Sequence, residues 1–268
     1  MSVEHFILVA LLGLAIGSFL NVLIYRIPEG KSVSFPASHC PSCQTPLKAW
    51  HNIPFFSWLL LGGKCAFCKT KISFQYPLIE LLSSLIFVTV FFILGWHLQS
   101  LFLASSFVLL LALSIIDWRY KAVPDSLNLL ALLFAIMLAP KTGFENALLF
   151  AGGFTLLRFV MSYYLFKKFT FLENTAKPAS WRKNYNTFPH FEAMGEADIM
   201  VAATMGAILG VQVGLFAIFL SALLTLPVAL FRASTDKQTP FVPFLSAALF
   251  ICFLFYPHIQ QWLGSLYV

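Results

Sequence analysis

The residues able to do chemistry in this chain are two aspartates and four cysteines. Acids are scarce, 11 in 268 residues, so their positions are informative. Asp117 follows the apolar stretch Phe107–Ile116 and falls at the end of a predicted helix. A helix C-terminus repels negative charge, and a carboxylate at a membrane boundary also costs desolvation energy. Asp198 follows Gly195-Glu196-Ala197 and opens another apolar run. Both are expected near one face at comparable depth, where two helices would bring them together. Two carboxylates sharing a low-dielectric site do not both ionise easily, so one holds a proton and the pair titrates as a unit. Such a pair suits peptide hydrolysis without a covalent intermediate. The ionised member takes a proton from water, and the protonated one donates to the substrate carbonyl or leaving amine. No serine or cysteine nucleophile with a matching base stands out. The competing structural readings stay open on charges alone. Asp198 as a helix cap is one, and Asp117 paired with Arg119 or Lys121 is the other. Asp125, after Pro124, reads as a helix start signal. Glu80, about a turn inside a predicted helix, is expected to pair with a loop lysine.

Four of the five cysteines form Cys40-Pro-Ser-Cys43 and Cys65-Ala-Phe-Cys68, with 21 residues between the pairs. Two-residue spacing lets both sulfurs of a knuckle reach one metal at about 2.3 Å, and the separation suits a four-thiolate zinc site. A closed four-cysteine shell leaves no open position, so the expected role is structural. Two disulfides or a redox pair are the alternative. Cys252 sits alone in the last apolar run and reads as a small packed residue.

These groups must be carried by membrane helices. Hydrophobic residues make up 59% of the chain and charged ones 10%, with a mean hydropathy of +0.84. That excludes a disordered chain, a nucleic-acid-binding domain and an ordinary cytosolic enzyme. The runs are unbroken rather than alternating, which excludes a transmembrane barrel. Eight runs are helix candidates, near 5–25, 77–96, 99–117, 123–139, 144–166, 197–210, 212–231 and 241–263. The sixth and seventh, punctuated by Gly206 and Gly210, have one long kinked segment as their alternative. The first run lacks a basic n-region and a cleavage site, so it is not read as a signal peptide. Of 17 basic residues, 15 fall in four connections on one side; Lys141 and Arg158 are the exceptions. The net charge of +6 therefore reads as a topology marker, with those loops in the cytoplasm and no nucleic-acid partner. The reducing cytoplasm disfavours disulfides at the four cysteines. The expectation is an all-α polytopic membrane protein of about eight transmembrane helices, with a small zinc-stabilised cytoplasmic insert after the first helix. The divisions are a first helix at 1–25, the four-cysteine insert at 26–76, and a transmembrane core at 77–268.

With these residues in hand, the chain resembles the type IV prepilin peptidases. The resemblance is carried by Gly17-Ser18-Phe19-Leu20-Asn21-Val22, Tyr25-Arg26-Ile27-Pro28 and Ser34 to Cys43. It continues through Asn52-Ile53-Pro54, Ser57-Trp58-Leu59, Gly63-Lys64-Cys65, Tyr76-Pro77-Leu78-Ile79-Glu80, Val123-Pro124-Asp125 and Met194-Gly195-Glu196-Ala197-Asp198. It implies an aspartic endopeptidase of the bacterial inner membrane, its active site facing the cytoplasm. Such enzymes remove the basic leader of prepilins or pseudopilins, and many then methylate the new N-terminus with S-adenosylmethionine. Asp117 and Asp198 match the catalytic pair, and Cys40, Cys43, Cys65 and Cys68 match the zinc-type insert.

Two positions depart from the family pattern. Ala197 stands where the second glycine of Gly-x-Gly-Asp is usual, and Met200 where many members carry lysine. Both bear on rate or substrate range. Glu192, Gly195 and Glu196 are candidates for leader binding, the two glutamates by attracting its basic residues. No glycine-rich cofactor loop follows a strand, so no S-adenosylmethionine site is read from the residues. The alternatives are a membrane aspartic protease for other substrates, or a non-enzymatic assembly or transport protein with a zinc insert. The acids at helix ends and the lack of repeats disfavour a transporter. The expected partners are the leader-bearing substrate and the bilayer; the sequence carries no sign of the oligomeric state.

Overall fold

A computed structural model describes residues 3–173, 195–233 and 239–265. These residues are helical, with two isolated antiparallel bridges and no sheet. The helices are α1 (Val3–Arg26), α2 (Phe56–Leu60), α3 (Gln75–Leu94), α4 (Leu98–Tyr120), α5 (Asp125–Ile136), α6 (Pro140–Glu173), α7 (Glu196–Ala233), α8 (Val242–Leu254) and α9 (Tyr256–Ser265). The insert between α1 and α3 holds a short 3-10 turn, Ala49–Asn52, and α2.

The eight apolar runs are all helical, but they do not make eight membrane-length helices. Five helices are long and apolar enough to cross a membrane: α1, α3, α4, the Pro140–Tyr164 part of α6, and the Glu196–Phe231 part of α7. A sixth is counted if α8 and α9, bent by 84°, form one broken span. Three physical reasons account for the difference. The fourth run yields only the 12 residues of α5, about 18 Å of helix against a hydrocarbon core of about 30 Å. The sixth and seventh runs join as α7, the kinked alternative, broken at Gly210 with φ 72° and ψ −174°. A positive φ of that kind is open to glycine and costly for other residues. The last run is cut by the α8–α9 bend.

α4 is the central helix. In its most apolar window 61% of residues are buried, against 11% for α6. Leu103, Phe107, Leu110, Leu113 and Ile116 lie on its buried faces, and the helix packs against α1, α3, α5 and α8. α1 and α3 approach closely because α1 presents glycine. A Cβ added at Gly17 would meet the Glu80 Cα at 2.7 Å. Small residues permit such backbone approach where lipid gives no hydrophobic drive between helices.

α3 leaves the side of the insert and α4 returns to it. The Arg119 guanidinium, at the end of α4, donates to the Gln75 side-chain oxygen at the start of α3. The C-terminus of α4, and Asp117 with it, therefore shares a face with the insert.

Candidate active site

Asp117 lies in the last turn of α4, whose end is set by local backbone geometry. Lys121 takes a left-handed conformation, φ 54°, and its N–H returns to the Asp117 carbonyl at 3.0 Å. The Lys121 ammonium donates to the carbonyls of Asp117 (3.3 Å) and Trp118 (3.1 Å), the favourable place for a cation at a helix C-terminus. The Asp117 carboxylate is 7% exposed and accepts the Val242 N–H at 3.2 Å through Oδ2. Val242 is the first residue of α8, so the acid that opposes the dipole of its own helix sits at the N-terminus of another.

Asp198 is the third residue of α7. Its carboxylate lies beside Gly195, just before the helix, in the first turn, where an acid suits the helix dipole. A Cβ added at Gly195 would stand 3.3 Å from Asp198 Oδ2. Both aspartates line one pocket of about 280 Å³. Lys121 and Val123 after α4, Gly195, Glu196 and Ala197 at the start of α7, and Thr239, Pro240, Phe241 and Val242 leading into α8 complete its wall. Two acids 81 positions apart in sequence thus meet where three helix ends converge. Two carboxylates in one pocket are groups that general acid–base hydrolysis can use.

Comparison with known proteins now bears on the whole chain. Residues 11–94 match the family model described as the bacterial peptidase A24 N-terminal domain, and residues 104–230 match the type IV leader peptidase family. A prepilin leader peptidase/N-methyltransferase of Neisseria gonorrhoeae is 33% identical over 92% of this chain and 89% of its own length. Another so named, from Pseudomonas aeruginosa, is 32% identical over 94% of this chain and 90% of its own. The chain belongs to the type IV leader peptidase family. No solved structure matches this peptidase.

The peptidase's insert gathers all four paired cysteines. The sulfurs of Cys40, Cys43, Cys65 and Cys68 lie within 4.8 Å of one another, and the cluster has the chemistry to hold a metal ion. The Cys40–Cys68 sulfur distance is 3.8 Å, the edge length of about 3.8 Å that a tetrahedron with 2.3 Å metal–sulfur bonds would have. The two knuckles repeat one geometry. The Cys40 N–H donates to the Thr45 carbonyl and the Gln44 N–H to the Cys40 carbonyl; Cys65, Thr70 and Lys69 make the same two bonds. Gln44 and Lys69 share a positive φ, 56° and 59°. The Thr70 hydroxyl beside Cys68, at 3.2 Å, brings that thiol down to about 6, and Thr45 lowers Cys43 in the same way. Metal ligands must be thiolates, so the threonines favour the ligating form.

Other polar residues are placed differently from expectation. Glu80 does not reach a loop lysine; its carboxylate accepts the Phe55 N–H at 2.7 Å and ties the insert to α3. Asn21 in α1 donates to the Tyr76 carbonyl (3.2 Å), and Arg26 donates to the carbonyls of Ser32, Val33 and Pro36, ordering the chain as it leaves α1. Arg158 is not stranded in mid-membrane. It lies 18 residues into α6, about 27 Å along it, and its guanidinium meets the Glu196 carboxylate at 3.1 Å beside the pocket. Glu192 lies outside the described residues, as does the connection from 174 to 194. Asn128 was missed altogether. It is fully buried in α5 and donates to the Ala197 carbonyl at 3.0 Å, bracing the turn that carries Asp198. A lone asparagine inside the apolar run Leu127–Ile136 was the available signal.

Proposed function

We propose that this peptidase removes the basic leader from type IV prepilins or pseudopilins at the cytoplasmic face of the bacterial inner membrane, with Asp117 and Asp198 as its catalytic pair. The observation that carries the reading is the convergence of these two carboxylates, from α4 and α7, in one pocket of a leader peptidase family member. The relatives named as prepilin leader peptidases supply the substrate class.

The Asp117 carboxylate is oriented by the Val242 main-chain N–H, and that of Asp198 lies beside Gly195. A carboxylate has about four acceptor sites, so one such bond leaves room for water or a substrate group. One aspartate takes a proton from the attacking water. The other gives one to the scissile carbonyl and then to the leaving amine, and the roles reset by proton exchange. Glu196, exposed at the pocket wall, draws the leader's basic residues, and Gly195 keeps the approach to Asp198 open. Glu192 is proposed for the same attraction from its sequence position.

The four cysteines would hold zinc as a closed structural site that stabilises the 26–76 insert, leaving 77–268 as the proteolytic core. Methylation of the new N-terminus from S-adenosylmethionine is proposed from the relatives' names. The described residues form no sheet from which a glycine-rich nucleotide loop would spring, and no residue is assigned to that cofactor.

Co-expression with a prepilin followed by mass spectrometry of its N-terminus tests the reading. The leader is lost with the wild-type chain and retained with Asp117→Ala or Asp198→Ala. Normal processing in both variants would overturn the pair. A one-methyl increment on the trimmed N-terminus reports the second activity.

A further inference from the structure

The insert carries an apolar surface that the cleavage mechanism does not use. In α2, Phe56, Leu59 and Leu60 stand at positions i, i+3 and i+4, which share one helix face. They are 48%, 58% and 85% exposed. The other side of α2 is occupied. The Trp58 indole donates to the Ile72 carbonyl at 3.3 Å and packs edge-on against Phe74. α2 is thus held to the insert by one face and presents a wholly apolar face outward.

The depth of this face follows from Glu80. It lies five residues beyond Gln75, the first residue of the membrane-length helix α3, or about 7.5 Å along it. Its side chain leans back toward the helix N-terminus and meets the Phe55 N–H, immediately before α2. The start of α2 is therefore level with the first turns of α3. Interfacial helices bury their apolar faces about 5–10 Å into the headgroup boundary.

We propose that α2 and the neighbouring Trp50 lie in the headgroup region of the leaflet on the insert's side and bind anionic phospholipid there. α3 likewise exposes apolar residues, Leu78 and Leu85 among them, as the lipid-facing surface of a span does. Charge agrees: residues 30–79 contain five lysines and no aspartate or glutamate. Such a segment is drawn to an anionic surface. The same surplus disfavours a peptide occupant that brings a basic leader with it. The interfacial contact would hold the four-cysteine insert beside the pocket end of α4.

The test is a photocrosslink in the full-length enzyme. Benzoylphenylalanine is incorporated at Leu60, with Thr45 in the first knuckle as the control site. The enzyme is reconstituted in mixed phosphatidylethanolamine and phosphatidylglycerol vesicles with a prepilin added, and adducts are read by mass spectrometry. Phospholipid adducts at position 60 should exceed those at position 45 by about tenfold or more, as for a buried interfacial face. They should fall severalfold when phosphatidylglycerol is replaced by phosphatidylcholine. Equal lipid adducts at the two sites would overturn the proposal, and so would prepilin adducts in place of lipid at position 60. Unchanged yield without the anionic lipid would overturn the headgroup preference.

Discussion

Asp117 Oδ2 accepts the main-chain N–H of Val242 at 3.2 Å, across 125 positions of sequence. That contact places the carboxylate of one helix end at the start of another. Asp198 lies in the first turn of α7, beside Gly195. Helix N-termini offer unpaired N–H groups and the positive end of the dipole, so α7 and α8 together provide a favourable seat for two acids.

Single substitutions of the pair are expected to act alike. Asp117→Asn and Asp198→Asn each lower the cleavage rate by about 10²–10⁴-fold, the contribution usual for a positioned acid or base. The double variant should be little worse than either single one, because the two act as a unit. A purified enzyme with a prepilin peptide, assayed for released leader, makes the measurement. Additive losses would count against a shared mechanism.

Asn128→Ala removes the donor to the Ala197 carbonyl and leaves that acceptor without this bond. A lost buried partner costs about 1–3 kcal/mol, part of it here as misplacement of the Asp198 turn. The expected outcome is a drop in kcat of roughly tenfold with KM nearly unchanged. A change confined to thermal stability would make Asn128 structural only.

The Arg158–Glu196 pair is solvent-exposed on the glutamate side, so its contribution is at most about 1 kcal/mol. Glu196→Gln is expected to raise KM for a basic leader about two- to threefold, and less for a leader depleted of lysine. Arg158→Gln frees the glutamate and should act in the opposite direction. Both effects shrink as salt is raised. Equal losses on basic and lysine-poor leaders would exclude the glutamate from leader recognition.

Cys40→Ser or Cys65→Ser should reduce bound zinc to well below one ion per chain, while Cys252→Ser leaves it unchanged. Zinc is counted by elemental analysis of the purified protein. Loss of the metal removes the tie between the knuckles, so the insert should become sensitive to proteolysis at 30–75. Retention of full metal in Cys65→Ser would mean that the four sulfurs do not form one site.

Much of this was legible in the residues. Cysteine spacing marks a metal cluster because two-residue knuckles impose a local geometry that needs no distant partner. The aspartates stood out because few acids exist and these two flank apolar runs. Helix content followed from run length. The number of membrane-length helices did not, because Gly206 and Gly210 punctuate α7 equally well as a loop or as a break. The bend between α8 and α9 has its breaker in Pro257, two residues after Phe255, but the apolar run continues across it. Arg158 looked misplaced because α6 runs on for 34 residues, past the apolar stretch, so depth along it is not set by hydropathy alone.

The sequence by itself determined the solvent, the helical class and the four-sulfur cluster, and singled out two acids, since each rests on composition or short spacing. The tertiary structure decided which groups meet those acids. Val242 meets Asp117 through its main-chain N–H, and Asn128 braces the turn that carries Asp198 through the Ala197 carbonyl; every residue carries such main-chain groups and no side-chain pattern announces where they lead. Their placement depends on three helix ends converging on one pocket, a consequence of packing around α4 that no local stretch of the chain encodes.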